Sequence, residues 1–307
     1  MKVSIIGTGH VGSTVAFSLV VKGLCDDIVL VNRTHRKAEG EAADLQHAAA
    51  FVPRAISITA GHIEATADSD LIVFCVSAPA DANWRDRSFL ADANAALLRE
   101  WIRPLVDLSP NCVLVMVTNP VDAMTYLALQ LSGLPPERVI GTGTLIDSAR
   151  FRSYLSEHLQ IHPDDIRAYV LGEHGATQFP ALSVAATGGA RIDHDPNIAS
   201  LFQRTVASAH EIFEIKGYTN YAIALATSMI VESVLHDSHR TLPVSILLQG
   251  FEGQHQVCLS IPAVIGRKGV VRQLHPKLTT EESELFRQSA DAVRRVIARV
   301  ASGELQD

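Results

Sequence analysis

The chain is poor in several features that would have fixed its class at once. Its 307 residues hold only four cysteines, Cys25, Cys75, Cys112 and Cys258, widely spaced, two of them inside apolar runs. That pattern points to packed, reduced thiols, and a reducing cytoplasm fits it. No uninterrupted apolar stretch approaches the roughly twenty residues of a membrane span, and MKVSIIGTG runs straight into a strand and a glycine turn with no leader pattern. A soluble, unprocessed chain is expected. A Lys/Arg-rich run is missing, as is any basic segment interleaved with aromatics, and the net charge is −7. Nucleic acid and anionic membranes are therefore poor partners. The thirteen histidines form no H-E-x-x-H or other ligand cluster, which leaves a metal-dependent hydrolase without support and the metal sites at none. There is no internal repeat, low-complexity segment or long linker. What is present, 47% hydrophobic residues with 19 Gly and 13 Pro, suffices for a large core in one or two domains and points to small-molecule chemistry.

In the first half, short apolar runs (VSIIG, DIVLVN, AISITAG, LIVFCVS, CVLVMVTN, RVIGTG) alternate with segments carrying apolar residues at i, i+3 and i+4. This predicts a parallel sheet wrapped by helices over residues 1–142. From residue 143 to 307 the pattern changes to α+β. A helix is expected through Leu159, with strands near Ala168 to Leu171 and Ala181 to Thr187. A long helical region follows from Pro196 to His236, punctuated at Lys216-Gly217. Strands near Pro243 to Leu248 and Val257 to Ile261 precede a last helix from Thr280, capped by Thr279 or Thr280.

GTGHVG, Gly7 to Gly12, lies between a strand and an apolar helix, the context a dinucleotide fingerprint requires. Gly7 permits the tight turn, Gly9 lets a pyrophosphate approach, and Gly12 allows close helix–strand packing, with His10 and Val11 completing the expected contact. The next strand should end in an acid for the adenosine ribose, but it ends in Asn32. Without the carboxylate a 2′-phosphate is not repelled, and Arg33 and Thr34 offer it a cation and a hydroxyl. The triplet resembles the phosphate corner of several NADP-dependent Rossmann reductases. The competing reading is a neutral Asn cap beside a solvated Arg. Between NAD(H) and NADP(H), the residues lean to NADP(H).

Three features of the second half belong together: Asp147 and Arg150 in LIDSARF, and His174 in LGEHG. Reducing a ketone by hydride leaves an alkoxide that needs a proton, and histidine exchanges protons near neutrality. A buried carboxylate such as Asp147 on the other ring nitrogen would orient the imidazole and raise its basicity. Arg150, one helical turn on, can present a planar fork to a substrate carboxylate.

GTGHVG, VTNPVD, GTGTLIDSARFR, LGEHG, KGYTNYAIA and LSIPAVIGRKGV occur in that order over essentially the whole chain. Together they resemble the lactate/malate dehydrogenase family, the second half being closer to its lactate and 2-hydroxyacid branch. The resemblance implies a Rossmann-type parallel-sheet domain followed by an α+β substrate domain, a 2-oxo or 2-hydroxy acid substrate, and a homodimer or homotetramer. It implies His174 as acid/base, Asp147 as its partner, Arg150 as carboxylate clamp and Arg87 as the loop arginine that polarises the carbonyl. Asn119 would contact nicotinamide and substrate, Asn94 and Val117 would sit by the cofactor, and Thr219 would line the side-chain pocket. Arg152 and Arg167 fall where allosteric bacterial lactate dehydrogenases bind a sugar bisphosphate.

One loop departs from the pattern. Measured back from Arg87 in PADANWRDR, the side-chain-reading position is Asp81, where the lactate enzymes place Gln and the malate enzymes Arg. An inward Asp81 would repel a dicarboxylate in a dehydrated pocket, unless Arg85 swings in. It would suit a 2-oxo acid with an amino, guanidino or hydroxyl group. If Asp81 stays in solvent, Trp84 fills an apolar pocket and a bulky aliphatic or aromatic 2-oxo acid fits. Either way the expected substrate is neither standard malate nor lactate. The alternatives are a malate or lactate dehydrogenase proper, or a catalytically silent nucleotide sensor. The joint presence of His174, Asp147, Arg87 and Arg150 favours an enzyme, since a sensor needs no proton relay.

Overall fold

The computed structural model describes residues 1–78, 87–192 and 195–302, with the backbone alone at 87–89 and 302. In the first half, strands β1 (Lys2–Ile6), β2 (Asp27–Val31), β3 (Ser57–Gly61), β4 (Leu71–Phe74), β5 (Val113–Met116) and β6 (Val139–Gly141) alternate with helices α1 (His10–Lys22), α2 (His35–Ala49), α3 (Arg87–Leu108) and α4 (Val121–Ser132). The second half holds α5 (Leu145–Leu159) and five two-residue strands, β7 (Ile166–Arg167), β8 (Val170–Leu171), β9 (Phe179–Pro180), β10 (Ala186–Thr187) and β11 (Ala190–Arg191). It continues through α6 (Ile198–Lys216), α7 (Tyr221–Leu235), β12 (Arg240–Gln249), β13 (His255–Gly266), β14 (Gly269–Gln273) and α8 (Thr280–Ser302).

The sheet order is β14-β13-β12-β6-β5-β4-β1-β2-β3. Strands β1 to β6 are all parallel, and every residue of β4 and β5 is buried, because helices cover both faces and leave no room for polar alternation. The order reverses between β1 and β4, the crevice where α/β sheets bind ligands. The second half does not build its own large sheet. Its strands β12 to β14 add antiparallel to the edge of β6, with Ser245 opposite Gly141. That approach is close: a Cβ on Gly141 would sit 2.2 Å from Oγ1 of Thr125 and 3.0 Å from Cβ of Ser245. One hydrophobic cluster accordingly runs from Val3 and Leu98 through Ile140 to Val231, Ile246 and Leu259.

A smaller cluster around Phe151, Leu155, Ile166, Val170 and Leu201 braces α5 against α6, with Phe202 edge-on to Phe151 at 5.8 Å. The long helical region divides at Lys216-Gly217 as its sequence suggests, Gly217 taking φ +82° and the next helix starting at Tyr221. The expected strand near Ala181 to Thr187 is instead a helical turn at Leu182–Val184 followed by a two-residue strand. Strand β14 has no counterpart among the elements expected from the sequence. Helix α8 is capped as a box: the Glu282 N–H donates to Oγ1 of Thr279 at 3.2 Å, and the Thr279 N–H to Oε2 of Glu282 at 2.9 Å.

Candidate active site

The glycine turn follows β1 at the sheet's reversal point. Gly7 has φ +94°, and a Cβ there would lie 2.9 Å from the carbonyl carbon of Cys75; a Cβ on Gly12 would lie 2.0 Å from the Gly7 carbonyl oxygen. Both positions thus need glycine for packing. At Gly9 a Cβ would meet nothing within 4 Å, so this face of the turn is open, as a dinucleotide pyrophosphate at a helix start requires. His10 begins α1 and is exposed, Val11 packs on the core, and Val117 is buried at the end of β5.

Beside it, Asn32 is held on both sides of its amide. Its Nδ2 donates to Oγ1 of Thr8 at 2.8 Å and its Oδ1 accepts the Thr34 N–H at 3.0 Å. Arg33 and Thr34 are exposed at this corner, and Arg33 lines an open cleft with His62, Glu64 and Trp101. Asn94 is fully buried and works as a brace: its Oδ1 accepts the Ala78 N–H at 2.7 Å and its Nδ2 donates to the Asn119 carbonyl at 2.6 Å. The side chain of Asn119 itself is exposed, just before a cis peptide to Pro120.

Asp147, in the first turn of α5, has a side chain 2% exposed. Its Oδ2 meets Nδ1 of His174 at 2.5 Å, and its Oδ1 accepts from Nη1 of Arg150 at 3.0 Å. Burial alone would raise the Asp147 pKa, but the two cations outweigh it and the carboxyl is lowered. Burial alone would likewise lower His174, yet the charge and hydrogen bond of Asp147, with a contribution from Asp122, hold the imidazole above its ordinary value. Arg150 is 13% exposed and lines a cavity of about 290 Å³ together with Thr219, Tyr154, Lys216 and Asn220. The arrangement combines an oriented proton carrier, a guanidinium beside a cavity and an open dinucleotide turn.

Comparison with known proteins bears directly on this arrangement. The family model for the lactate/malate dehydrogenase NAD binding domain matches residues 1–141, and that for the lactate/malate dehydrogenase alpha/beta C-terminal domain matches residues 144–303. The chain belongs to the lactate/malate dehydrogenase family. It is 37% identical to the L-lactate dehydrogenase of Gloeobacter violaceus, over 97% of this chain and 92% of the relative. It is 38% identical to that of Thermoanaerobacter sp. strain X514, over 96% and 98%. It superposes with a TM-score of 0.94 on a lactate dehydrogenase from a Medee basin deep-sea metagenome, 32% identical over 98% of both chains.

The family membership and the α/β fold with a Rossmann-type sheet agree with the sequence reading. So does the coarse activity, a nicotinamide-dependent 2-hydroxyacid dehydrogenase acting on a small hydroxy or oxo acid. Two finer expectations are not supported by the comparisons. The relatives bear the name L-lactate dehydrogenase, which leans against a substrate other than lactate, and the family description names NAD, which leans against NADP(H). No helix among the described residues is long and apolar enough to cross a membrane, and they contain no cluster able to hold a metal.

Asp81, Trp84 and Arg85 lie outside the described residues, and Arg87 is placed only as the first backbone residue of α3. Arg152 and Arg167 do come together, lining a cavity of about 570 Å³ with Arg240 and Asp164. Arg240, the first residue of β12, was not anticipated. Nor was the seam between α1 and the α6–α7 region of this dehydrogenase. At four-residue spacing, His10 stacks on Tyr218 (3.8 Å between centroids, 3° between planes), Thr14 accepts from Nδ2 of Asn220 at 2.9 Å, Ser18 meets Ser228, and Lys22 pairs with Glu232. Asp122, the last residue of VTNPVD, also touches His174. Its Oδ2 accepts the His174 N–H at 2.7 Å, a contact between residues 52 apart that no local spacing could reveal.

Proposed function

We propose that this chain interconverts a 2-oxo monocarboxylic acid and its L-2-hydroxy acid, with His174 as the proton carrier. The observation that carries the reading is the Asp147–His174 pair, closed at 2.5 Å, beside an arginine-lined cavity. When bound, the nicotinamide supplies or takes up the hydride. With Nδ1 committed to Asp147, Nε2 is the nitrogen that gives its proton to the carbonyl oxygen during reduction, leaving a neutral imidazole; oxidation returns the proton. Arg150 has one Nη engaged by Asp147 and keeps the rest of its fork for the substrate carboxylate. Arg87 polarises the carbonyl, Asn119 contacts nicotinamide and substrate, and Thr219 borders the substrate's side chain, as the family resemblance implies.

The pyruvate–lactate pair is the reference substrate, supported by the names of the relatives. Asp81 supports a rival, a 2-oxo acid with a cationic or hydroxyl-bearing side chain. A panel of pyruvate, oxaloacetate, 2-oxoisocaproate, phenylpyruvate and cationic 2-oxo acids with both reduced cofactors decides between them. Oxaloacetate as the best substrate would sink the Asp81 reading. For the cofactor, the absence of a carboxylate at Asn32 and the exposed Arg33 support acceptance of NADP(H) alongside NAD(H).

A second site is favoured by a specific observation. Nε of Arg152 is buried with no hydrogen-bond partner among the described residues, and burial together with Arg167 and Arg240 works against its charge. A phosphate would relieve that strain, so we propose a sugar-bisphosphate effector there. Fructose bisphosphate changing neither activity nor assembly size would refute it.

A further inference from the structure

We propose that Asp122 is a positioning residue for the proton-transfer step: it fixes His174 through its backbone N–H and sets a second carboxylate behind the imidazole. The inference rests on the reading of His174 as the proton carrier. Asp122 lies in the first turn of α4 and is 2% exposed. Its two oxygens are divided between two donors from elsewhere in the chain. Oδ2 accepts the backbone N–H of His174, and Oδ1 accepts the hydroxyl of Ser245, a fully buried residue of β12, at 2.6 Å. Three segments distant in sequence therefore converge on one carboxylate, directly behind the residue that moves the proton.

The same loop is fastened a second time, since Gly172 and Ser260 exchange backbone hydrogen bonds at 3.1 and 3.0 Å and Oγ of Ser260 accepts the Thr144 N–H at 2.9 Å. Those bonds hold the loop to β13 and α5. Among the described residues, only the Asp122 bond acts on the backbone of His174 itself. Asp147 fixes the ring through Nδ1 while Asp122 fixes the main chain, so the imidazole is held from both ends.

Charge adds to geometry. The groups facing this pair are Glu173 on the same loop, Asp147 and Arg150 on α5, and Cys258 on β13. Burial pushes the Asp122 carboxyl up to about 7, against the hydrogen bonds of Ser245 and His174 and the charge of His174. Burial also raises the Cys258 thiol, and Asp122 raises it further, so it stays neutral. An ionised Asp122 favours the imidazolium; a protonated one does not. The protonation state of Asp122 therefore bears on the charge of the imidazole.

The test is the pH profile of kcat/KM for reduction in the full-length enzyme. Asp122→Asn can keep both hydrogen bonds and removes only the charge. Its basic limb, where His174 loses its proton, is expected to move down by roughly half to one pH unit. Asp122→Ala also orphans the His174 N–H and should lower kcat by about ten- to a hundredfold. Ser245→Ala, a milder change that covers the case of an unfolded alanine variant, should move the limb in the same direction by less. An unshifted limb in both Asp122→Asn and Ser245→Ala, or variants altered only in melting temperature, would overturn the proposal. His174→Gln separates the two readings. Lost turnover in that variant with an unshifted Asp122→Asn profile refutes the role of Asp122 alone, whereas retained turnover refutes the proton-carrier reading beneath it.

Discussion

The carboxylate of Asp147 meets Nδ1 of His174 at 2.5 Å while lying 2% exposed, so among the described residues the imidazole has one nitrogen committed and the other left for chemistry. Because His174 is raised above its ordinary 6.5, its protonated form persists to higher pH. Reduction should therefore stay on its plateau through pH 6.5 and decline above the raised pKa, while oxidation rises through the same value. Asp147→Asn should pull the limb down and reduce kcat/KM by roughly 10²–10⁴-fold. An unchanged limb in that variant would break the assignment.

The same two shifts carry a stability signature of opposite sign. The raised His174 contributes stability fully present below 6.5 and lost as pH rises through the folded value. The lowered Asp147 contributes stability present above 3.8 and lost as pH falls through its folded value. Melting temperatures across pH should show both declines in the wild type and neither, beyond the background, in Asp147→Asn.

Arg150→Lys retains charge but not the fork. With Asp147 occupying one donor, a lysine ammonium has no planar pair left to present to a carboxylate. We expect kcat/KM for the 2-oxo acid to fall about a hundredfold, mostly in KM, with dinucleotide binding little changed. A loss seen equally in dinucleotide affinity would place Arg150 elsewhere.

At the cofactor corner, Asn32→Asp returns a carboxylate to a position already bonded to Thr8 and the Thr34 N–H. The ratio of kcat/KM for NADPH over NADH should drop at least about tenfold by repulsion of a 2′-phosphate. A ratio that does not move would remove Arg33 and Asn32 from cofactor choice.

His10 on Tyr218 ties the glycine turn to the segment bearing Thr219. An aromatic stack is worth about 0.5–1.5 kcal/mol, which corresponds to roughly two- to tenfold in binding. His10→Ala is expected to raise KM for the 2-oxo acid by that factor, and His10→Phe to restore it. Equal behaviour of the two variants would show that the stack does not matter.

Much of this was legible in the chain. The glycine turn and the parallel half announce themselves because their contacts are local: Gly12 packs on Gly7, five residues away, and strand follows helix at regular intervals. Asp147 and His174 could be paired from the sequence alone because each sits in a specific motif. Asp122 could not, since its partners are His174 and Ser245, the latter 123 residues distant on an antiparallel strand. Arg240 was missed for the same reason: only folding brings β12 beside Arg152. Strand β14 escaped because Arg267 and Lys268 before it and Gly269 at its start carry no strand signal, and its pairing comes from the long β13 beside it. Asp81 and Arg85 fall outside the described residues, and the 2-oxo acid panel tests the proposal that they read substrate charge.

The line where β12 meets β6 also limits how this enzyme can be cut. A fragment ending at residue 142 would strip β6 of its neighbour and expose an apolar sheet edge together with the faces of α1 that now meet α7. Such an edge recruits other chains. The half that holds the nucleotide turn should accordingly be recovered as aggregate unless residues 240–273 accompany it, and exchange of cofactor halves between relatives will succeed only where the partner offers Gly141 a residue as small as Ser245.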